Sequence, residues 1–285
     1  MAATPVNLAL FHAVSSGNIE AAFQALSLGA DPNYCSKGKG SVFHNISGAS
    51  DEKAAACATE LINHGAFVDA TLVSNLNTPL HLAAAAGRAS LCKVLLENRA
   101  KPSAVNSFGN TPLHSAVQSG SLQVVALLLE HGADATSQNH RGSTALHFVA
   151  CLTDTNINAD ELVDVARLLL ERGKADANAV DIHGHSPLHV AAQRGCDALV
   201  VHLVCVGNGD LTLRSGVDSK GRGGRTARQM AEFGDQVRTA ELISRMEVLS
   251  DAFGCNTDGN TRPMRKIIEY EAHVHSASDL AGGVA

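Results

Sequence analysis

Residues 106–136 read NSFGNTPLHSAVQSGSLQVVALLLEHGADAT, and the stretch carries its own punctuation. Thr111 offers a side-chain oxygen to cap a helix, and Pro112 suits the first helical position, where a backbone donor has no partner to lose. Leu113, Ala116 and Val117 then fall on one helical face. Gly120 ends that helix, because glycine accepts the left-handed conformation a helix C-terminus needs. Ser121 caps a second helix, SLQVVALLLEH, which Gly132 stops. The stretch is a helix pair closed by a turn.

The unit recurs on both sides. Thr78-Pro79-Leu80-His81 stands 33 residues before Thr111-Pro112-Leu113-His114, and Thr144-Ala145-Leu146-His147 stands 33 after it. Ser186-Pro187-Leu188-His189 follows 42 residues later, and Thr226-Ala227 another 40. Towards the N-terminus, Ser41-Val42-Phe43-His44 lies 37 residues before Thr78, and a degenerate copy, Leu8-Ala9-Leu10-Phe11, begins 33 before Ser41. The exits are Gly29-Ala30-Asp31-Pro32-Asn33, Gly65-Ala66, Gly132-Ala133-Asp134 and Gly173-Lys174-Ala175-Asp176-Ala177-Asn178.

A period near 33 with a T-P-L-H start, a glycine stop and a G-A-D-x-N exit resembles the ankyrin repeat. The resemblance runs from residue 7 to about 246. It implies an all-α solenoid of seven helix pairs, with short β-turn or hairpin loops projecting at right angles. The repeats are expected at 7–38, 39–73, 74–106, 107–139, 140–180, 181–220 and 221–246, as one domain over 1–246. The first and last depart from consensus as caps facing water. Repeat two is interrupted at 47–53, with a new helix starting near Ser50, and repeat five at 153–159. The tail, 247–285, is rich in Gly, Ser, Asn and Asp. For 263–275 within it a packed helix, a segment that orders on binding and plain disorder stand level.

Composition agrees. Hydrophobic residues make up 45% but aromatics only 4%, with no Trp, which suits helices packed closely through Ala, Leu and Val. The net charge of −6 points to neither a nucleic-acid nor a membrane partner. Seven cysteines stand singly with no CxxC pair, so reduced thiols in a cytoplasmic or nuclear setting are the simpler reading. The first residues read as the first repeat's helix rather than a signal peptide. The apolar helix runs are too short to span a bilayer.

No nucleophile elbow, phosphate loop or HExxH is present. The histidine recurring in the fourth motif position (His44, His81, His114, His147, His189) invites a catalytic reading. One per unit fits better with a structural duty, binding backbone groups of the adjoining turn, and the family resemblance implies that duty. His183, His185 and His189 form HxHxxxH, but His185 precedes the helix cap, His189 is the structural position and no cysteine or carboxylate lies within the local helix to complete four ligands, so no metal is expected and no cofactor.

The resemblance also points to a surface. Residues just before each T-P-L-H start occupy turn tips, and those just before each glycine stop lie on the open face of the inner helix. Here these are Ser107, Phe108, Asn110 and Gln118, then His140 and Arg141, then Ile182, His183, His185, Gln193 and Arg194, then Arg222 and Arg225. Together they carry Arg and His with no carboxylate except Asp181, which favours an acidic partner. That turns merely collect polar residues explains them equally well. The expectation is a non-catalytic scaffold, adaptor or inhibitory subunit, monomeric alone, gripping a protein through these positions. The alternative is a phosphate- or nucleic-acid-binding regulator using Lys220, Arg222, Arg225 and Arg228.

Overall fold

A computed structural model describes residues 4–36, 40–46, 50–152, 158–216 and 224–253. The backbone divides into two compact units, one ending at His140 and one beginning at Arg141.

In the first unit, helices α1 (Pro5–Ser16) and α2 (Ile19–Ser27) pack as a pair. A two-residue antiparallel ribbon follows, β1 (Cys35–Ser36) with β2 (Gly40–Ser41), leading into a 3-10 turn at Val42–Asn45 and helix α3 (Asp51–Asn63). Two regular pairs complete the unit: α4 (Pro79–Ala85) with α5 (Ala89–Glu97), and α6 (Pro112–Ser119) with α7 (Leu122–Glu130). First helices form one layer, in which α4 packs on α6. Second helices form the other, in which α3, α5 and α7 pack in succession.

The second unit repeats the plan with α8 (Ala145–Cys151) and α9 (Ala159–Glu171), α10 (Pro187–Gln193) and α11 (Asp197–Cys205), α12 (Ala227–Phe233) and α13 (Val237–Phe253). Here α10 packs between α8 and α12, and α11 packs on α9.

Small side chains allow this stacking. Two of the short first helices bury one Leu and two Ala each: Leu80, Ala83 and Ala84 in α4, Leu188, Ala191 and Ala192 in α10. The second helices supply the bulk, such as Val124, Val125 and Leu128 in α7 and Leu162, Val165, Ala166 and Leu169 in α9. Gly120 caps α6 at φ 69°, and Ser121 caps α7 by accepting the Val124 N–H, as the sequence predicts.

Three local expectations change. The first cap is Thr4, whose side chain accepts the Asn7 N–H at 3.3 Å, and the helix begins at Pro5 rather than around Leu8. Thr4 lies 37 residues before Ser41, the spacing that also separates Ser41 from Thr78, so the first copy is in phase with the second. Repeat two keeps only a 3-10 turn where its first helix was expected. Helix α13 runs to Phe253, seven residues beyond the expected end of the repeats at 246. Most of the repeat-five insertion and the 263–275 segment lie outside the described residues.

Candidate protein-binding surface

The His81 ring stands against its own helix cap, where Nδ1 accepts the Thr78 backbone N–H at 3.2 Å. A nitrogen that accepts an N–H carries no proton, so the proton sits on Nε2. That nitrogen donates to the Asn110 carbonyl, in the next repeat's turn, at 3.0 Å. The same two-way link joins His147 to His185 and His189 to both Leu213 and Arg225, and His44, whose Nδ1 meets the Ser41 hydroxyl instead, reaches Asn77, all forward bonds at 2.9–3.1 Å. Burial lowers the pKa of all four below the ordinary imidazole value, because a charged ring would be desolvated. These rings are neutral struts between repeats. His189 spends both nitrogens this way, so the HxHxxxH spacing does not assemble a ligand set.

The last copy has Gln229 in place of histidine. Its Oε1 accepts the Thr226 N–H at 3.1 Å and its own N–H returns to the Thr226 hydroxyl at 3.5 Å, preserving the capping box. Among the described residues no further repeat follows for it to reach.

The turn tips are tied to one another by backbone. Ser107 N–H donates to Asn75 O, His140 N–H to Phe108 O, Ile182 N–H to Arg141 O and Gly216 N–H to His183 O, at 2.8–3.0 Å. At Gly184 (φ 72°) an added Cβ would fall 2.2 Å from the Gly216 nitrogen, so contact between tips excludes any side chain there. On this scaffold Ser107, Phe108, Gln118 and His140 of the first unit are exposed, as are Arg141, Ile182, His183, Arg194 and Arg225 of the second. Gln193 is half-buried. Arg225 lies 4.0 Å over the Phe233 ring, an arrangement that holds a guanidinium in place while leaving it open to solvent.

Two of the expected contact residues are committed elsewhere. Asn110 accepts the Asn139 side-chain amide at 2.8 Å, and its carbonyl receives the His81 strut. His185 is half-buried beside Asp181 at 3.8 Å, and its carbonyl receives the His147 strut. Arg222 and Lys220 lie outside the described residues. Asp181 is turned inward, accepting the His183 and His185 N–H groups at 2.8 and 2.9 Å.

A carboxylate was overlooked near the end of α12: Glu232, exposed and 3.8 Å from Arg228. Phe233, which stands seven residues after its cap as Gln193 does, is 60% exposed and was overlooked as well. In the first unit Val73 is 99% and Leu76 47% exposed on the tip before Thr78, also unforeseen. The offset from the helix cap finds Phe233, the counterpart of Gln193, but none of the other three. Of the thiols, Cys57, Cys92 and Cys205 are buried, and burial together with the nearby Asp51 carboxylate pushes Cys92 up to about 12.

The model of the family described as ankyrin repeats (3 copies) matches three overlapping stretches, residues 10–106, 46–139 and 132–215. The chain belongs to the ankyrin repeat family. Its ankyrin repeats are similar to those in the crystal structure of the ankyrin repeat domain of Bcl-3, titled a unique member of the IkappaB protein family. The TM-score is 0.66 at 25% identity, over 83% of this chain and 97% of that one. Comparison with curated proteins gives no match. Among the described residues no helix is long and apolar enough to cross a membrane.

Proposed function

We propose that this ankyrin repeat chain is a non-catalytic interaction module, a scaffold, adaptor or inhibitory subunit, whose turn tips and first-helix ends grip a protein partner. The observation that carries the reading is the electrostatics of the second unit. Arg141, His183, Arg194 and Arg225 are exposed there, while Asp181 is spent within its own turn and Glu232 has Arg228 beside it. An acidic segment of the partner suits that face, since opposite charge hastens encounter and fixes orientation. A stack whose tips are already bonded to each other also binds with little ordering cost.

The test is affinity capture with mass identification of partners, wild type beside a variant carrying Phe108→Ala, Arg141→Glu, Ile182→Ala and Arg194→Glu. Loss of a partner that wild type retains is expected, and retention of every partner would refute the assigned face. The phosphate or nucleic-acid alternative is weakened by Arg228, which lies 3.1 Å from Glu247 and 3.8 Å from Glu232 and so is already paired with carboxylates.

A further inference from the structure

The tip at 72–77 breaks a rule that the four later tips keep. Two residues before the caps Thr111, Thr144, Ser186 and Thr226 stand Gly109, Gly142, Gly184 and Gly224, with φ between 53° and 74°. The matching residue before Thr78 is Leu76, also left-handed at φ 58°. A branched, bulky side chain disfavours that conformation, which glycine adopts freely. The surroundings hold it there: Leu76 N–H donates to Leu72 O at 2.8 Å and Leu72 N–H to Asn77 O at 2.9 Å.

The strain does not serve the core, because Leu76 is 47% exposed. Val73 is 99% exposed on the same tip, and Val105 (58%) and Phe108 (62%) stand on the neighbouring one, joined through Ser107 N–H to Asn75 O. Neither tip, 72–77 or 105–110, contains an ionisable side chain. Strain kept at a solvent-facing position points to a contact made there.

We propose that these two tips form an uncharged docking site for an apolar segment of the protein partner, with Leu76 as the anchor that sets specificity. The proposal rests on the reading of the chain as an interaction module and assigns the first unit a ligand chemistry opposite to that of the basic tips of the second unit. A charged segment is disfavoured because nothing on either tip would pair with its buried charge. An aliphatic or aromatic one covers Val73, Leu76 and Phe108 at no such cost.

The probe is a random peptide library displayed on phage and panned on the full chain. Enriched peptides should be rich in Leu, Ile, Val and Phe and free of charge at their centre. Leu76→Gly and Leu76→Asn, both compatible with a left-handed backbone, should weaken those peptides by about tenfold or more. The same variants should hold the thermal midpoint or raise it by about 2–4 °C as strain is relieved. Binding that survives both changes overturns the proposal, and so does a midpoint that falls along with affinity. If only acidic peptides are enriched, and Arg194→Glu abolishes them, the docking site is refuted while the interaction-module reading survives. A library with no enrichment counts against both.

Discussion

Replacing His81 separates the two jobs of the motif histidine. His81→Gln should keep the cap, because Gln229 shows that a side-chain amide serves a threonine cap at this position. It should lose the 3.0 Å bond from Nε2 to the Asn110 carbonyl. That carbonyl still accepts the Asn106 N–H at 3.0 Å, so it is not orphaned, and the loss is the net value of one hydrogen bond, about 0.5–1.5 kcal/mol. His81→Ala also removes the side-chain half of the capping box, leaving the Thr78 hydroxyl on the residue-81 N–H. It strands the Thr78 N–H, whose residue is only 2% exposed, at a further ~1–3 kcal/mol. Urea unfolding of the full chain, followed by circular dichroism, should therefore rank wild type above Gln and Gln above Ala. The Gln-to-Ala step should be at least as large as the first. Equal stability of wild type and His81→Gln would refute the strut between repeats, and equal stability of Gln and Ala would refute the divided role.

Acid should loosen the stack. His44, His81, His147 and His189 have folded-state pKa values lowered by burial, so below the ordinary value of 6.5 the unfolded chain takes up protons that the folded chain refuses. Their stabilising effect is complete above that value and is lost as pH falls from it toward the folded values; a denaturation midpoint that is flat from neutral pH down to 5 would contradict the neutral tautomer. Gly132 sits at φ 83° with nothing within 4 Å of an added Cβ, so Gly132→Ala should lose ~1 kcal/mol through backbone strain alone. Arg99, 33 residues earlier at φ 65°, should gain about as much on mutation to Gly, and opposite signs in the same urea assay check both. Leu128 is fully buried in α7, and Leu128→Ala should cost about 2–5 kcal/mol in unfolding free energy.

The fold was largely legible because its instructions are local. Thr111, Pro112, Gly120 and Ser121 each act within one turn of where they stand, so a start and a stop can be read without knowing what packs against them. Reading failed where the cue was diluted. Thr4-Pro5 escaped notice because Asn7, not histidine, occupies the fourth place, and Leu8 and Leu10 mimicked a motif. Repeat two shows Ser41 and His44 in order, yet the sequence did not reveal that its first helix shrinks to a 3-10 turn.

On the candidate surface, position along the chain located the tips but not how each side chain there is employed. Asn110 and His185 fall at tip positions, and only coordinates show their carbonyls receiving imidazoles from the preceding repeat. Leu76 and Phe233 were passed over because one replaces an expected glycine and the other stands where a polar residue was sought.

Gln229 bears on how such a protein could be lengthened. His44, His81, His147 and His189 reach forward with an imidazole, whereas glutamine completes its own cap and stops there. Grafting an additional copy after α13 would leave it without the polar tether its predecessors enjoy. Restoring histidine at 229 is the first substitution an engineer extending this array should make.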